Sequence, residues 1–249
     1  MQFPVNIPIG KSEIPIHFLC ETLAYAVGYR YYTYLRKSQS DAITDHQRII
    51  IFVGAAVGAF IGSHVLGVLE NPDRLTGMNW IYFMGNTTII GGLLGGLLGV
   101  ELTKKKIGVT VSSGDLMVYP IIVSMLIGRT GCFLAGLTDG TYGIPSNLPW
   151  AINFGDGVRR HPTNLYEMLF WLVLWLALSR LEKEHELANG ARFKWLMVSY
   201  LLFRLCIEFI KPAYVFSFKL SVLQLACLAG LAYYYKVLLY PSKSLKAYA

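Results

Sequence analysis

Apolar residues along this chain fall in long blocks separated by short polar connections. Runs near 14–35, 49–69, 80–102, 116–137, 164–181, 194–211 and 220–240 each approach the ~20 residues that cross the ~30 Å core of a bilayer as a helix. The pattern predicts an all-α polytopic membrane protein of about seven transmembrane helices. Two of the runs carry glycine ladders, Gly54, Gly58 and Gly62 in one and Gly91, Gly95 and Gly99 in the other. Such small faces let two helix backbones approach closely, so these two helices are expected to cross tightly. The longest polar connection, "TDGTYGIPSNLPWAINFGDGVRRHPT" over 138–163, is rich in turn formers, with Trp150 and Phe154 suited to the headgroup zone. It predicts an outward-facing loop region.

Composition agrees with that picture. Of 249 residues, 54% are hydrophobic and only 15% charged, outside the range of ordinary soluble domains. The net charge of +7 is not gathered into one patch, which argues against nucleic acid as a partner. Instead the basic residues alternate by connection. One side would carry Arg36, Lys37, Arg48, Lys104, Lys105, Lys106, Arg180, Lys183, Arg192, Lys194, Lys236, Lys243 and Lys246. The other would carry Lys11, Arg74, Arg159, Arg160, Lys211 and Lys219. The positive-inside rule then puts the N-terminus outside and the C-terminus in the cytoplasm. The first ten residues lack a basic n-region, so the first apolar run reads as a retained helix. No composition shift divides the chain, and 1–249 is expected to form a single integral-membrane domain. Cys20, Cys132, Cys206 and Cys227 show neither CxxC nor metal-ligand spacing and read as reduced packing residues, with no metal or cofactor expected.

Charges inside apolar runs carry the candidate chemistry, because ionisable groups in membrane helices usually face a site or pathway. Arg129 ends the run that starts near Leu116. Arg204, Glu208 and Lys211 fall at i, i+4 and i+7 on one stripe of a later helix. Two arginines from different helices facing one cavity make an anion site, since guanidinium matches phosphate with paired hydrogen bonds. In a bilayer the abundant anion is a phospholipid headgroup. In "RRHPTNLYE", residues 159–167, Thr163 or Asn164 with Glu167 resembles a helix start with a capping box. His161, Tyr166 and Glu167 of the same stretch would meet the headgroup at the water boundary, and His161 is the candidate base. Glu21 and Asn86 are further candidates for lining the site, whereas Glu70 and Glu101 read as interfacial and His64 as a packing histidine.

The segments "IIGGLLGGLLGVE", "GRTGCFLAG", "RHPTNLYE" and "FRLCIEFIKP", in that order, resemble the signatures of the bacterial prolipoprotein diacylglyceryl transferase family over roughly residues 14 to 212. The resemblance implies seven membrane helices in the inner (plasma) membrane with the active site toward the periplasm. It implies transfer of the diacylglyceryl group of phosphatidylglycerol to the lipobox cysteine thiol of a preprolipoprotein, with glycerol phosphate released and no cofactor. Carried over by motif, Arg129 and Arg204 match the family's two essential arginines, and Glu208 and Lys211 their charged neighbours. The chain departs from the family at three places. Ile90 stands where the family places a histidine, Cys132 and Ala135 where it often has asparagines, and Glu21 near a tyrosine position. Those departures leave two alternatives: a diverged lipid-modifying transferase with another acceptor, or a phospholipid-binding or transporting protein without catalysis.

Overall fold

A computed structural model describes residues 3–9, 12–39, 41–77 and 79–241. Lys11, Lys243 and Lys246 of the charge pattern lie outside the described residues. A short antiparallel hairpin, β1 (Asn6–Ile9) and β2 (Ser12–Pro15), leads into α1 (Ile16–Ser38). There follow α2 (Asp45–Leu69), the short α3 (Trp80–Gly85), α4 (Ile89–Ile107) and α5 (Val118–Ala135). The long connection after α5 holds a two-residue pairing of β3 (Ile152–Asn153) with β4 (Arg159–Arg160). The chain then continues through α6 (Thr163–Glu184), α7 (Ala191–Ile207), α8 (Val222–Tyr233) and α9 (Tyr235–Leu239). The architecture is mainly helical, as expected, with two small hairpins that hydrophobic periodicity did not signal.

Three helical stretches among the described residues, Asp45–Leu69, Asp115–Asp139 and Thr163–Glu184, are long and apolar enough to cross a membrane. On α2 the residues Ile49, Val53, Val57, Phe60, Ile61 and Val65 are all exposed, a stripe of large apolar side chains with no protein against it. Water would penalise such a face, whereas hydrocarbon does not.

The glycine ladders pack on each other. A Cβ on Gly58 would stand 2.3 Å from the Gly95 carbonyl oxygen, and one on Gly99 would stand 2.1 Å from that of Gly54. Backbone meets backbone here, so no neighbouring side chain can swing aside. A second close crossing joins α1 to α5: the Ser124 hydroxyl donates to the Ala24 carbonyl at 2.9 Å, and a Cβ on Gly131 would lie 2.6 Å from Cys20 Cβ and 3.3 Å from His17 Cα. Gly131, in the "GRTGCFLAG" segment, therefore seats the start of α1. Behind these pairs lies an apolar core in which Trp171 stacks on Tyr200 at 4.7 Å and Phe170 on Phe203 at 4.5 Å.

Three of the expected helices are not continuous. The run 80–102 breaks at residues 86–88, where Thr88 adopts an extended backbone and its hydroxyl accepts the Gly91 N–H at 3.1 Å. Its own N–H donates to the Ser63 carbonyl at 3.1 Å, and Gly67 leaves room for the Asn86 backbone. The cap chemistry and this anchoring to α2 outweigh the apolar pattern on either side. The run 194–211 ends its α-helix at Ile207 and tightens into a 3₁₀ turn over Glu208–Ile210. The last run is likewise interrupted at Tyr234.

Gly58→Leu is expected to destabilise the fold by at least about 2 kcal/mol, because overpacking here cannot relax by rotamer changes. Thermal unfolding in detergent checks this, with Gly92→Ala, whose Cβ would find its nearest neighbour at 3.8 Å, as the tolerated control.

Candidate functional site

The two buried arginines converge. Arg129 comes from the last two turns of α5 and Arg204 from the last turn of α7, and both are within 6% of full burial. Glu167, in the second turn of α6, lies between them. Its Oε2 is 2.9 Å from Arg129 Nε and 3.9 Å from Arg204 Nη1, and its Oε1 accepts the Tyr200 hydroxyl at 2.8 Å. Arg204 Nη2 also donates to Glu208 Oε2 at 3.2 Å, and Glu208 Oε1 accepts the Ser221 hydroxyl at 3.4 Å. The expected Arg204–Glu208 stripe therefore forms as a pair. Glu167 does not serve as the reciprocal residue of a capping box, because α6 starts at Pro162 without a side-chain cap. Thr163 and Asn164 instead turn to the preceding loop: the Thr163 hydroxyl donates to the Thr141 carbonyl, and the Thr141 hydroxyl lies 2.8 Å from Asn164 Oδ1.

Both guanidiniums open onto a cavity of about 940 Å³, whose wall also includes Lys211, Glu21, Glu70, Asn86, His17 and Asp139, whereas Glu167 and Glu208 are not part of that wall. The two glutamates thus hold the arginines without occupying the space in front of them. Donors remain: each guanidinium carries ~5 N–H groups, and buried Arg204 Nε has no hydrogen-bond partner among the described residues. A smaller cavity of about 250 Å³ shares His17, Glu21, Arg129 and Cys132 with the first and continues along Ala24, Tyr25 and Met125 between α1 and α5. The site is thus a polar chamber in which Arg129, Arg204 and Lys211 share the wall with Glu21, Glu70 and Asp139, with a smaller, mostly apolar extension. Its polar wall comes largely from the breaks in the helices, residues 85–88 and 138–141, and from Lys211. Irregular backbone at membrane depth is tolerated only where it lines such a cavity.

Of the residues singled out in the sequence, the cavity brings together Arg129, Arg204, Lys211, Glu21 and Asn86. It does not include His161 or Tyr166. Those two contact each other at 3.2 Å, Tyr166 accepts the Trp150 indole N–H at 2.7 Å, and the His161 backbone is tied to Gly143 and Ile144 in the outer loop. They brace the loop. His64, with Nδ1 2.8 Å from the Phe60 carbonyl and its ring stacked on Phe83, is a satisfied packing residue. Ile90 is 1% exposed and belongs to the apolar core, while its neighbours Thr88 and Ile89 face the cavity.

Sequence reasoning missed His17 and Asp139 and underrated Glu70. His17 Nε2 is 3.2 Å from Asp139 Oδ1, and the same nitrogen is 3.7 Å from Cys132 Sγ. Burial first, then the negative charge of Glu208, raises the Glu70 carboxyl to about 7, with Lys211 and Arg204 pulling the other way. The ligating atoms of His17, Cys132 and Asp139 lie within 4.8 Å of one another, close enough to hold a cation. Arg129 Nη1, however, donates to the same sulfur at 3.7 Å, so a fixed positive charge already stands where a metal would bring its own. The cluster does not fit a metal site.

Glu167→Gln is expected to keep the acceptor for Tyr200 and lose the charge that binds two guanidiniums. Breaking one partner out of a buried ionic cluster costs about 3–5 kcal/mol, which a thermal unfolding series in detergent would register as a large fall in midpoint.

Comparison with known proteins covers the same ground. The family model described as prolipoprotein diacylglyceryl transferase matches residues 4–240. A phosphatidylglycerol-prolipoprotein diacylglyceryl transferase of Finegoldia magna is 30% identical over 237 residues, 90% of each chain. Proteins of the same name from Geobacter sulfurreducens (30% over 228 residues, 85% of this chain and 84% of the relative) and Pseudoalteromonas translucida (29% over 229 residues, 85% and 82%) are also similar. By a match that runs through both arginines and nearly the whole sequence, the chain belongs to the prolipoprotein diacylglyceryl transferase family.

Proposed function

We propose that this protein transfers the diacylglyceryl group of phosphatidylglycerol to the thiol of a lipobox cysteine in a preprolipoprotein, the first step of bacterial lipoprotein maturation. The observation that carries the proposal is the meeting of Arg129 and Arg204, from α5 and α7, on one 940 Å³ cavity, held from behind by Glu167. Displacement at the glyceryl carbon breaks its bond to a phosphate oxygen, so negative charge grows on that phosphate as the reaction proceeds. Preorganised donors aimed at developing charge are the largest usual source of catalysis, and they act more strongly in a site shut off from water. Arg129 and Arg204 supply those donors, Lys211 adds a third positive group, and Glu208 fixes the orientation of Arg204. The extension along Ala24 and Met125 suits the start of an acyl chain. Asn86, on the broken segment before α4, offers an amide to the headgroup glycerol.

In this reading the protein weaves through the bacterial inner membrane about seven times, with the N-terminus and the 138–163 loop outside and the site open to the periplasmic half. Contacts between connections support the alternation. At one end Val5 bonds Leu134, Ile144 bonds Ile210, and Phe3 packs on Phe154. At the other Arg48 donates to the Ser113 carbonyl at 2.7 Å and Asp115 accepts the Gly190 N–H at 2.6 Å. The basic residues Arg36, Lys104, Lys105 and Arg192 belong to that second end, as a cytoplasmic face requires.

Purified protein incubated with labelled phosphatidylglycerol and a lipobox peptide is expected to yield glycerol phosphate and a thioether-linked peptide. Binding of the lipid without cleavage would overturn the enzymatic reading. Arg204→Lys is expected to keep its charge yet lose about 100-fold or more in kcat, since an ammonium lacks the planar fork; unchanged turnover in that variant would remove the arginine clamp from the mechanism.

A further inference from the structure

The reaction above needs a group that takes the proton of the acceptor thiol, and the structure offers that group on α1. We propose that His17, oriented by Asp139, is the general base of the diacylglyceryl transfer. The proposal rests on the function argued in the preceding section.

Geometry selects it. His17 lies on the wall of the cavity that Arg129 and Arg204 share. Its Nε2 faces Asp139 Oδ1 at 3.2 Å, so the neutral ring donates Nε2–H to the carboxylate and keeps its lone pair on Nδ1. A carboxylate that fixes the tautomer and stabilises the imidazolium is the arrangement that makes histidine an effective proton acceptor near neutral pH. Asp139 is itself held: it sits in the 3₁₀ turn that closes α5, against the Thr141 hydroxyl. His17 is held by Gly131, whose missing side chain lets α1 begin against α5. The charged and titratable groups around the ring are Glu21 on its own helix, Arg129 and Cys132 on α5, and Asp139 beyond it. Glu70, Arg204 and Lys211 stand elsewhere on the same wall.

Other roles for the cluster fail on chemistry. Cys132 is not a nucleophile activated by His17, because the nitrogen nearest its sulfur is the one committed to Asp139. A diacylglyceryl group placed on Cys132 would in any case form a thioether, which cannot pass the group on. His161 is outside the cavity wall, and Ile90 carries no titratable group.

The step balances without a further reactant. The lipobox S–H gives its proton to His17 Nδ1. The thiolate sulfur attacks the glyceryl carbon that bears the phosphate, forming the C–S bond as the C–O bond to phosphate breaks. The electron pair of that bond leaves on the oxygen of glycerol phosphate, between Arg129 and Arg204, and the proton on His17 is then passed to the departing phosphate. Imidazole is restored and glycerol phosphate leaves as its monoanion.

The test uses the full-length protein in detergent with phosphatidylglycerol and a lipobox peptide, following kcat and kcat/KM against pH. The wild type is expected to lose kcat/KM on the acid side as His17 protonates. His17→Ala is expected to lower kcat about 100-fold or more, to abolish that acid limb, and to recover activity with added imidazole. His17→Gln keeps an N–H for Asp139 and so separates roles: if His17 only supports the fold, Gln restores turnover, and if it is the base, Gln does not. Asp139→Asn is expected to reduce kcat with little effect on KM and to move the acid limb. Survival of the acid limb in His17→Ala, its loss in Glu70→Gln instead, full turnover in His17→Gln, or activity abolished by EDTA and restored by a divalent cation would each overturn the assignment. A wild type that binds the lipid but never cleaves it defeats the underlying function, which is a different result from an active wild type whose His17 variants are normal.

Discussion

The site depends on one carboxylate. Glu167 is buried where a single negative charge meets two guanidiniums from different helices, and desolvating any one of these groups alone would cost several kcal/mol. Together they neutralise much of that cost and tie α5, α6 and α7 into a fixed relation. Tyr200 carries the tie into the apolar core, since its hydroxyl bonds Glu167 while its ring stacks on Trp171. The arginines are therefore positioned by the same packing that holds the bundle, not by flexible reach. An anion entering the cavity finds donors already oriented and meets no rearrangement cost beyond its own desolvation.

Much of this was legible in the sequence. Blocks of apolar residues marked the helices, and glycines four residues apart marked the α2–α4 crossing, because both signals are local and periodic. Arg129 and Arg204 stood out because charge in an apolar run has few inexpensive explanations. What escaped notice depends on tertiary position. Glu167 reads by spacing as a cap partner and by type as a headgroup contact, but the Thr141 backbone takes Thr163 and the carboxylate pairs with Arg129 behind the cavity wall. His17 has Glu13 and Glu21 four residues to either side, but the carboxylate it meets belongs to Asp139, more than a hundred residues away. His161 stood out as a titratable residue where the headgroup would meet water, yet its backbone bonds to Gly143 and Ile144 hold it in the outer loop.

The helix breaks illustrate why a hydropathy profile underreads such a protein. At residues 86–88, 136–141 and 208–211 the apolar or helical pattern continues past a point where the backbone turns away from the α conformation. Each break leaves carbonyls and N–H groups without intrahelical partners, which hydrocarbon would penalise by several kcal/mol apiece. Each is satisfied locally: Thr88 by Ser63 and Gly91, Thr138 and Gly140 by Ala135 and Leu137, Lys211 by Glu208. The polar groups that remain, with the side chains the breaks carry, form most of the cavity wall. Local departures from helical order are thus where the site is made.

Ile90 bears on how the chain can depart from its family's pattern and keep a workable site. The position is occupied by a residue 1% exposed within a core of Val118, Ile122, Trp171 and Leu201, so a polar group there would be buried among apolar side chains. Replacing it by histidine would bury a titratable ring among apolar side chains, which costs free energy unless a hydrogen bond compensates. The cavity wall itself carries groups that can take up a proton, His17 beside Asp139, Glu21 and Glu70. Glu70 lies where burial first, and then the negative charge of Glu208, favours the protonated carboxyl, with Lys211 and Arg204 pulling the other way. His17 has the Asp139 carboxylate beside it, with Nε2 3.2 Å from Oδ1, which fixes the orientation of the ring on that wall. The wall thus sets the guanidiniums of Arg129 and Arg204 beside groups able to carry a proton, and displacement of a phosphate from carbon by a thiol requires both.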